Sequence, residues 1–194
     1  MLLNVAVLII GYLLGSIPSA YVIAKWRKGI DIRQTGTHNM GAGNVIGQVG
    51  PLEGGVVAIV DIAKGAAAVL IAQALEVSQP WVLGAGFTAM LGHSFPIYIG
   101  FRGGQGVCTV IGVFSVLAPV AIIITLVPLG AVIFITRHIF ASILIMGPFL
   151  PLIVWLIEGS TALTLYALTI VVLLLFRNRH RLKEIRQITH RTKR

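Results

Sequence analysis

Apolar residues fall along this chain in long runs separated by short polar and glycine-rich stretches. Runs at about 2–23, 55–75, 81–100, 139–157 and 161–176 suit helices crossing roughly 30 Å of hydrocarbon. A further apolar stretch, 107–135, is interrupted by Pro119 and Pro128; it is too long for one ordinary span and short for two. One crossing there would leave the strongly basic carboxyl-terminal tail outside, against the charge bias of membrane proteins. Two short crossings turning near Ala118 and Pro119 return the tail to the cytoplasm. The pattern therefore predicts an all-α polytopic membrane protein of about seven transmembrane helices, amino end outside and carboxyl end cytoplasmic.

Composition agrees with the pattern. Of 194 residues, 57% are hydrophobic and 11% charged, with a mean hydropathy of +0.95, more apolar surface than a soluble core of this size could bury. A chain of 20.7 kDa has room for one membrane domain, 1–176, followed by a basic cytoplasmic tail, 177–194. The net charge of +9 is mostly that tail, which holds eight Lys or Arg against Glu184. Such a tail is drawn to anionic lipid headgroups, so membrane lipids rather than nucleic acid are the expected partner. The first 24 residues lack a positive start and a small-residue cleavage site, and Lys25, Arg27 and Lys28 follow the apolar stretch; they read as a first span rather than a signal peptide. Cys108, in an apolar run, reads as a packed small residue.

Two polar stretches do not read as plain connectors. Residues 36–55, GTHNMGAGNVIGQVGPLEGG, contain seven glycines, and 100–106 read GFRGGQG. Glycines there permit positive φ and let backbone N–H groups converge on an anion. Asp61 and Lys64 stand i, i+3 inside the second apolar run, where ionisable groups are costly unless paired or facing a cavity. His93 opens an HSFP segment, Arg102 follows it, and His38 and Asn39 occupy the first glycine-rich stretch. Such groups on one membrane face suit an oxyanion or phosphate cradle. The G-x-S-x-G, H-E-x-x-H and P-loop motifs are absent, no His is followed five residues on by Asp, and no Cys/His cluster suggests a metal.

GSIPSAYVIAKW, GTHNMGAGNV, DIAKG and GHSFPIYIGFRGGQGVCT together resemble, in order and spacing, the membrane acyl-phosphate:glycerol-3-phosphate acyltransferases, the PlsY family. The resemblance implies seven spans, no cofactor and no metal. It implies transfer of a fatty acyl group from acyl phosphate to glycerol 3-phosphate in phospholipid synthesis, with the enzyme that supplies acyl phosphate as a candidate partner. It assigns catalytic roles to Asn39, Lys64 and His180, and substrate binding to Thr37, Gly41, Asn44, His93, Gly103, Gly104 and Gly106; Arg102 and Gln105, in the same loop, are expected to bind substrate beside them. Where the family usually has Arg, Lys and Pro, this chain has Gly47, Gln105 and Met40. Arg33, Arg102 and the tail are the candidates to replace the missing cations. The alternatives are a non-catalytic paralogue that binds acyl phosphate or anionic lipid and, from the intramembrane charges alone, a small-solute transporter.

Overall fold

The computed structural model describes residues 1–136 and 139–177, and every regular element among them is helical. The α-helices are α1 Leu2–Gly15, α2 Ser19–Lys28, α3 Ala42–Gln48, α4 Pro51–Ala74, α5 Gln79–Ser94, α6 Val107–Leu117, α7 Pro119–Thr136, α8 Ile139–Met146, α9 Phe149–Glu158 and α10 Thr161–Arg177. They gather into two compact units, Met1–Leu117 and the chain from Ala118 onward.

In the first unit, Leu2–Lys28, Pro51–Ala74 and Gln79–Ile99 are long and apolar enough to cross a bilayer. The first of these, read from sequence as a continuous span to residue 23, is broken between α1 and α2. Pro18 causes the break: it has no N–H for the ladder and disfavours helical geometry at Ile17. It adopts φ −90° and ψ 64°, and Ser19 N donates to Ile17 O at 3.1 Å, an inverse γ-turn. The Ile17 carbonyl, outside the regular helical ladder, is thereby presented to α4. Helix α2 then ends at left-handed Gly29, with Lys25, Arg27 and Lys28 in its last turn where the helix dipole favours cations.

Helix α5 stops at Ser94 rather than running on to residue 100, because Phe95 precedes Pro96 and takes φ −134°. The glycine-rich stretch expected as a loop over 36–55 contains α3, and α4 already starts at Pro51, with Glu53 in its first turn. Beneath that stretch Ile32, Met40 and Val45 are buried against Ala20 and Ala24 of α2 and Val57 of α4. Sequestering these side chains from water fixes the polar backbone above them. Helices α4 and α6 meet with little side chain between them: Gly65 lies against the Thr109 carbonyl and Gly112 against that of Ile62. Small residues at such a seam let helix backbones approach where no hydrophobic effect drives association.

The helix is broken at Ala118, the first residue of the second unit, where the sequence placed a turn. Pro128 remains inside α7, as prolines in membrane helices commonly do. The run 139–157 is divided at Gly147 and Pro148 into α8 and α9. Val120, Ile123, Val127, Leu152, Leu156 and Val172 are exposed on these helices, a surface suited to lipid.

Candidate active site

The break in the first span is tied to α4 and α5 by a buried polar cluster. Ser19 Oγ donates to Asp61 Oδ1 at 2.6 Å, and Lys64 Nζ donates to Ile17 O at 3.0 Å. The two α4 charges pair directly, Lys64 Nζ to Asp61 Oδ1 at 2.8 Å, with side chains 4% and 1% exposed. His93 Nδ1 of α5 lies 3.7 Å from the same carboxylate oxygen. A carboxylate and an ammonium so deeply buried persist only when each is met by opposite charge and hydrogen bonds, and here both are. Lys64 thus occupies a buried pair, and Ile17 and Ser19, which complete it, lie in the GSIPSAYVIAKW block but were not singled out from it.

From this cluster His93 reaches the second glycine stretch. Gly103 N donates to Ser94 O at 3.2 Å and Gly104 N to His93 O at 3.1 Å, so the segment folds back on the end of α5. His93 Nε2 and the Met40 carbonyl both approach the Gly104 Cα so closely that a Cβ would overlap them. The two glycine-rich stretches, distant in sequence, therefore meet at Gly104.

The first stretch is shaped by Asn44. Buried in α3, it accepts from Thr37 N at 2.9 Å through Oδ1, while its Nδ2 donates to Ile32 O, Thr35 O and Asn39 O, each at 3.0 Å. Two N–H groups shared among three carbonyls leave no donor for a ligand, so Asn44, expected to bind substrate, organises the loop instead. Replacing it with Ala is expected to raise the rate of limited proteolysis within 32–41 about tenfold or more, from roughly 1–2 kcal/mol of lost loop stability; an unchanged cleavage rate would remove this role.

Asn39, Gln105 and Arg102 make no side-chain hydrogen bond or ion pair among the described residues, and their polar ends remain available. Gly41 precedes α3 and Gly106, at φ +87°, precedes α6. Gly47 has nothing within 4 Å of where a side chain would begin, so packing does not exclude the arginine that the resemblance leads one to expect there. His180 lies outside the described residues.

Beside these loops is a cavity of about 390 Å³ lined by Asp31, Arg33, Gln34, His38, Arg102 and Gly103 together with Ile99 and Gly100. Of the residues expected at the site, Arg102 and Gly103 line it; Thr37, Asn39, Lys64, His93 and Gln105 do not. Arg33 forks onto Asp31, Nε to Oδ1 at 2.9 Å and Nη2 to Oδ2 at 2.7 Å, donates from Nη1 to Ile99 O at 2.9 Å, and stacks 5.0 Å from the Tyr21 ring centroid. The guanidinium holds the Asp31 carboxyl below its ordinary range, and the carboxylate raises the Arg33 pKa. Sequence reading missed Asp31, although the D-x-R spacing carried a signal: Asp31 Oδ1 also accepts from Arg33 N at 3.0 Å, starting the next turn as such side chains do.

A sequence model of the glycerol-3-phosphate acyltransferase family matches residues 5–188. The glycerol-3-phosphate acyltransferase of Geobacter sulfurreducens is 34% identical over 180 residues, 93% of this chain and 92% of that one. That of Geotalea daltonii is 36% identical over 184 residues, 94% of each. Among solved structures, the crystal structure of the integral membrane enzyme PlsY (YgiH) in its glycerol 3-phosphate form is similar with a TM-score of 0.89 and 28% identity, covering 95% of this chain and 92% of that one. Its lysophosphatidic acid form gives 0.86 over the same shares. With the family sequence matched across nearly the whole chain, the broken first span, the buried Asp61–Lys64 pair and the joined glycine loops are features of a member of the glycerol-3-phosphate acyltransferase family, to which this chain belongs.

Proposed function

We propose that the protein is a membrane glycerol-3-phosphate acyltransferase of phospholipid synthesis. It moves a fatty acyl group from acyl phosphate onto glycerol 3-phosphate and so makes lysophosphatidic acid. The observation that carries this reading is the likeness, over 95% of the chain, to a structure of PlsY in its glycerol 3-phosphate form. In the reaction an acceptor hydroxyl oxygen bonds to the acyl carbon, the bond from that carbon to the phosphate oxygen breaks, and phosphate leaves with the electron pair. The hydroxyl proton passes to the departing phosphate or to solvent. Because the donor is already an anhydride, the site has to align two phosphates and a hydroxyl and steady the oxyanion.

On this reading the unpaired Asn39 amide and the backbone N–H groups of Gln105 and Gly106 face the reacting groups, with Thr37, Gly41 and the Gly103–Gly104 turn beside them. Lys64 and His93 act from beneath, and His180 joins from the tail. The three long apolar helices and four shorter apolar ones support seven crossings, amino end outside and carboxyl end in the cytoplasm. The protein would then lie in the plasma membrane, its site facing the cytoplasm, where glycerol 3-phosphate and the enzyme supplying acyl phosphate are met. Residues 1–176 form the membrane domain and 177–194 its basic tail.

Purified protein in lipid vesicles, given acyl phosphate and radiolabelled glycerol 3-phosphate, is expected to form lysophosphatidic acid. Acyl-CoA and acyl carrier protein are expected to fail as donors. No product above protein-free vesicles would leave the non-catalytic paralogue, which Gly47 and Gln105 favour, as the reading.

A further inference from the structure

We propose that Tyr12, in the first span, is a positioning residue of the acyltransferase site: its phenol holds the end of α5 and thereby sets where the Gln105 and Gly106 amides point. The inference rests on the acyltransferase reading. It reaches beyond it to a side chain on another helix, outside the sequence blocks that resemble the family.

The last carbonyls of an α-helix have no partner within it and are met from elsewhere. At the end of α5, successive carbonyls are met by different parts of the chain. His93 O accepts from Gly104 N at 3.1 Å and Ser94 O from Gly103 N at 3.2 Å, while Phe95 O accepts from Tyr12 Oη at 2.8 Å. The second glycine stretch and α1 therefore hang on adjacent peptide units. Pro96 follows directly and carries no N–H to continue the helix, and Phe101 N donates to Pro96 O at 2.9 Å, turning the chain back toward α5. Two of the bonds at this helix end are made by the glycine stretch itself, whose backbone has the most freedom to give way. Tyr12 supplies the third from a helix.

That helix is a firm support. Gly11 and Gly15 of α1 lie on the Ala85 and Ala89 carbonyls of α5, and Gly92 of α5 lies on the Tyr12 carbonyl itself, each so close that a Cβ would overlap. Small residues at such a seam let helix backbones touch. The contact at Gly92 comes within one turn of Phe95, so the phenol is carried by a backbone already fixed to α5. A tyrosine ring has only two torsions, and its position follows that backbone closely.

The consequence for the reaction follows from which amides are spent. Gly103 N and Gly104 N are engaged on α5, so the next two amides, of Gln105 and Gly106, are those that face the reacting groups. A tilt of the Ser94–Phe95 peptide passes through the Gly103 and Gly104 bonds to those amides over one or two residues. Donors to a developing oxyanion act only when placed to within a fraction of an ångström. Tyr12 thus touches no substrate and acts through the end of α5.

The test is Tyr12→Phe, which removes the hydroxyl and keeps the ring. Tyr98→Phe is its control, since that phenol is exposed in the neighbouring segment and makes no hydrogen bond among the described residues. Amide hydrogen exchange over 101–106, followed by mass spectrometry in lipid vesicles, is expected to be about five- to tenfold faster in Y12F, the scale of one lost hydrogen bond, and unchanged in Y98F. In the same vesicles kcat should fall about tenfold with the KM for each substrate within about twofold of the parent, because what is misplaced is a contact made in the transition state. The thermal midpoint should stay within about 4 °C of the parent. Unchanged exchange over 101–106, faster exchange spread evenly along α1 and α5, or a lowered midpoint with parental kcat would overturn the proposal, the last being the mark of a cap that only stabilises. A parent that forms no product would sink the acyltransferase reading, and the exchange over 101–106 would then decide by itself whether Tyr12 places the second glycine stretch.

Discussion

Asp61→Ala is expected to be the most destabilising single substitution in the first unit, at about 3–5 kcal/mol, the usual result of removing one partner from a buried ion pair. The deletion leaves Lys64 Nζ with only the Ile17 carbonyl as a partner among the described residues and leaves Ser19 Oγ without its acceptor. It also takes the carboxylate from beside His93. An ammonium whose side chain is only 4% exposed inside a membrane helix has no water to turn to. In detergent the apparent thermal midpoint should fall by on the order of 10 °C. Asp61→Ala combined with Lys64→Met should recover much of that loss, since an apolar side chain of similar length carries no desolvation penalty. Recovery stays partial because Ser19 Oγ still lacks its acceptor, a loss worth about 1–3 kcal/mol when buried. A midpoint for the single variant equal to that of the parent would show that the pair does not hold the broken span to α4.

The broken first span is also where reading the sequence stopped short. Hydropathy saw one apolar run because Ile17 and Pro18 are as apolar as their neighbours, and a proline is tolerated in a membrane helix often enough, as Pro128 illustrates in α7, that its presence does not decide between kink and break. What decides at Pro18 is the α4 ammonium waiting for a carbonyl, a tertiary fact without a local signature. The break at Ala118 was legible for a different reason, since charge bias over the whole chain demanded a turn there. At the site, the motifs identified both glycine stretches but not the inward role of Asn44. Asparagine in a glycine-rich loop reads the same whether it faces a ligand or three carbonyls. Arg102 and Arg33 were equal candidates as replacement cations; only the fork between Arg33 and Asp31 separates them, because it engages one and leaves the other open.

Gly104→Ala is expected to lower kcat about 100-fold, the scale on which an ångström of misplacement is felt in an active site, while changing the thermal midpoint far less than Asp61→Ala does. The added methyl would land on His93 Nε2 and on the Met40 carbonyl. Neither can retreat easily: His93 is buried and stands beside Asp61, and Met40 is anchored in the apolar cluster with Ile32 and Val45. The more yielding element is the 103–106 backbone, held there by two hydrogen bonds to the end of α5, so the second glycine stretch should move away from the first. That motion would separate the Asn39 amide from the backbone N–H groups proposed to share the reacting phosphate and oxyanion, without exposing a charge or emptying the core. Gly47→Ala is the matched comparison, since its added methyl meets open space and should leave kcat within about twofold, as surface substitutions remote from special features do. If Gly104→Ala kept parental kcat, the meeting of the two stretches at that residue would be packing alone, and the catalytic site would have to be built without it.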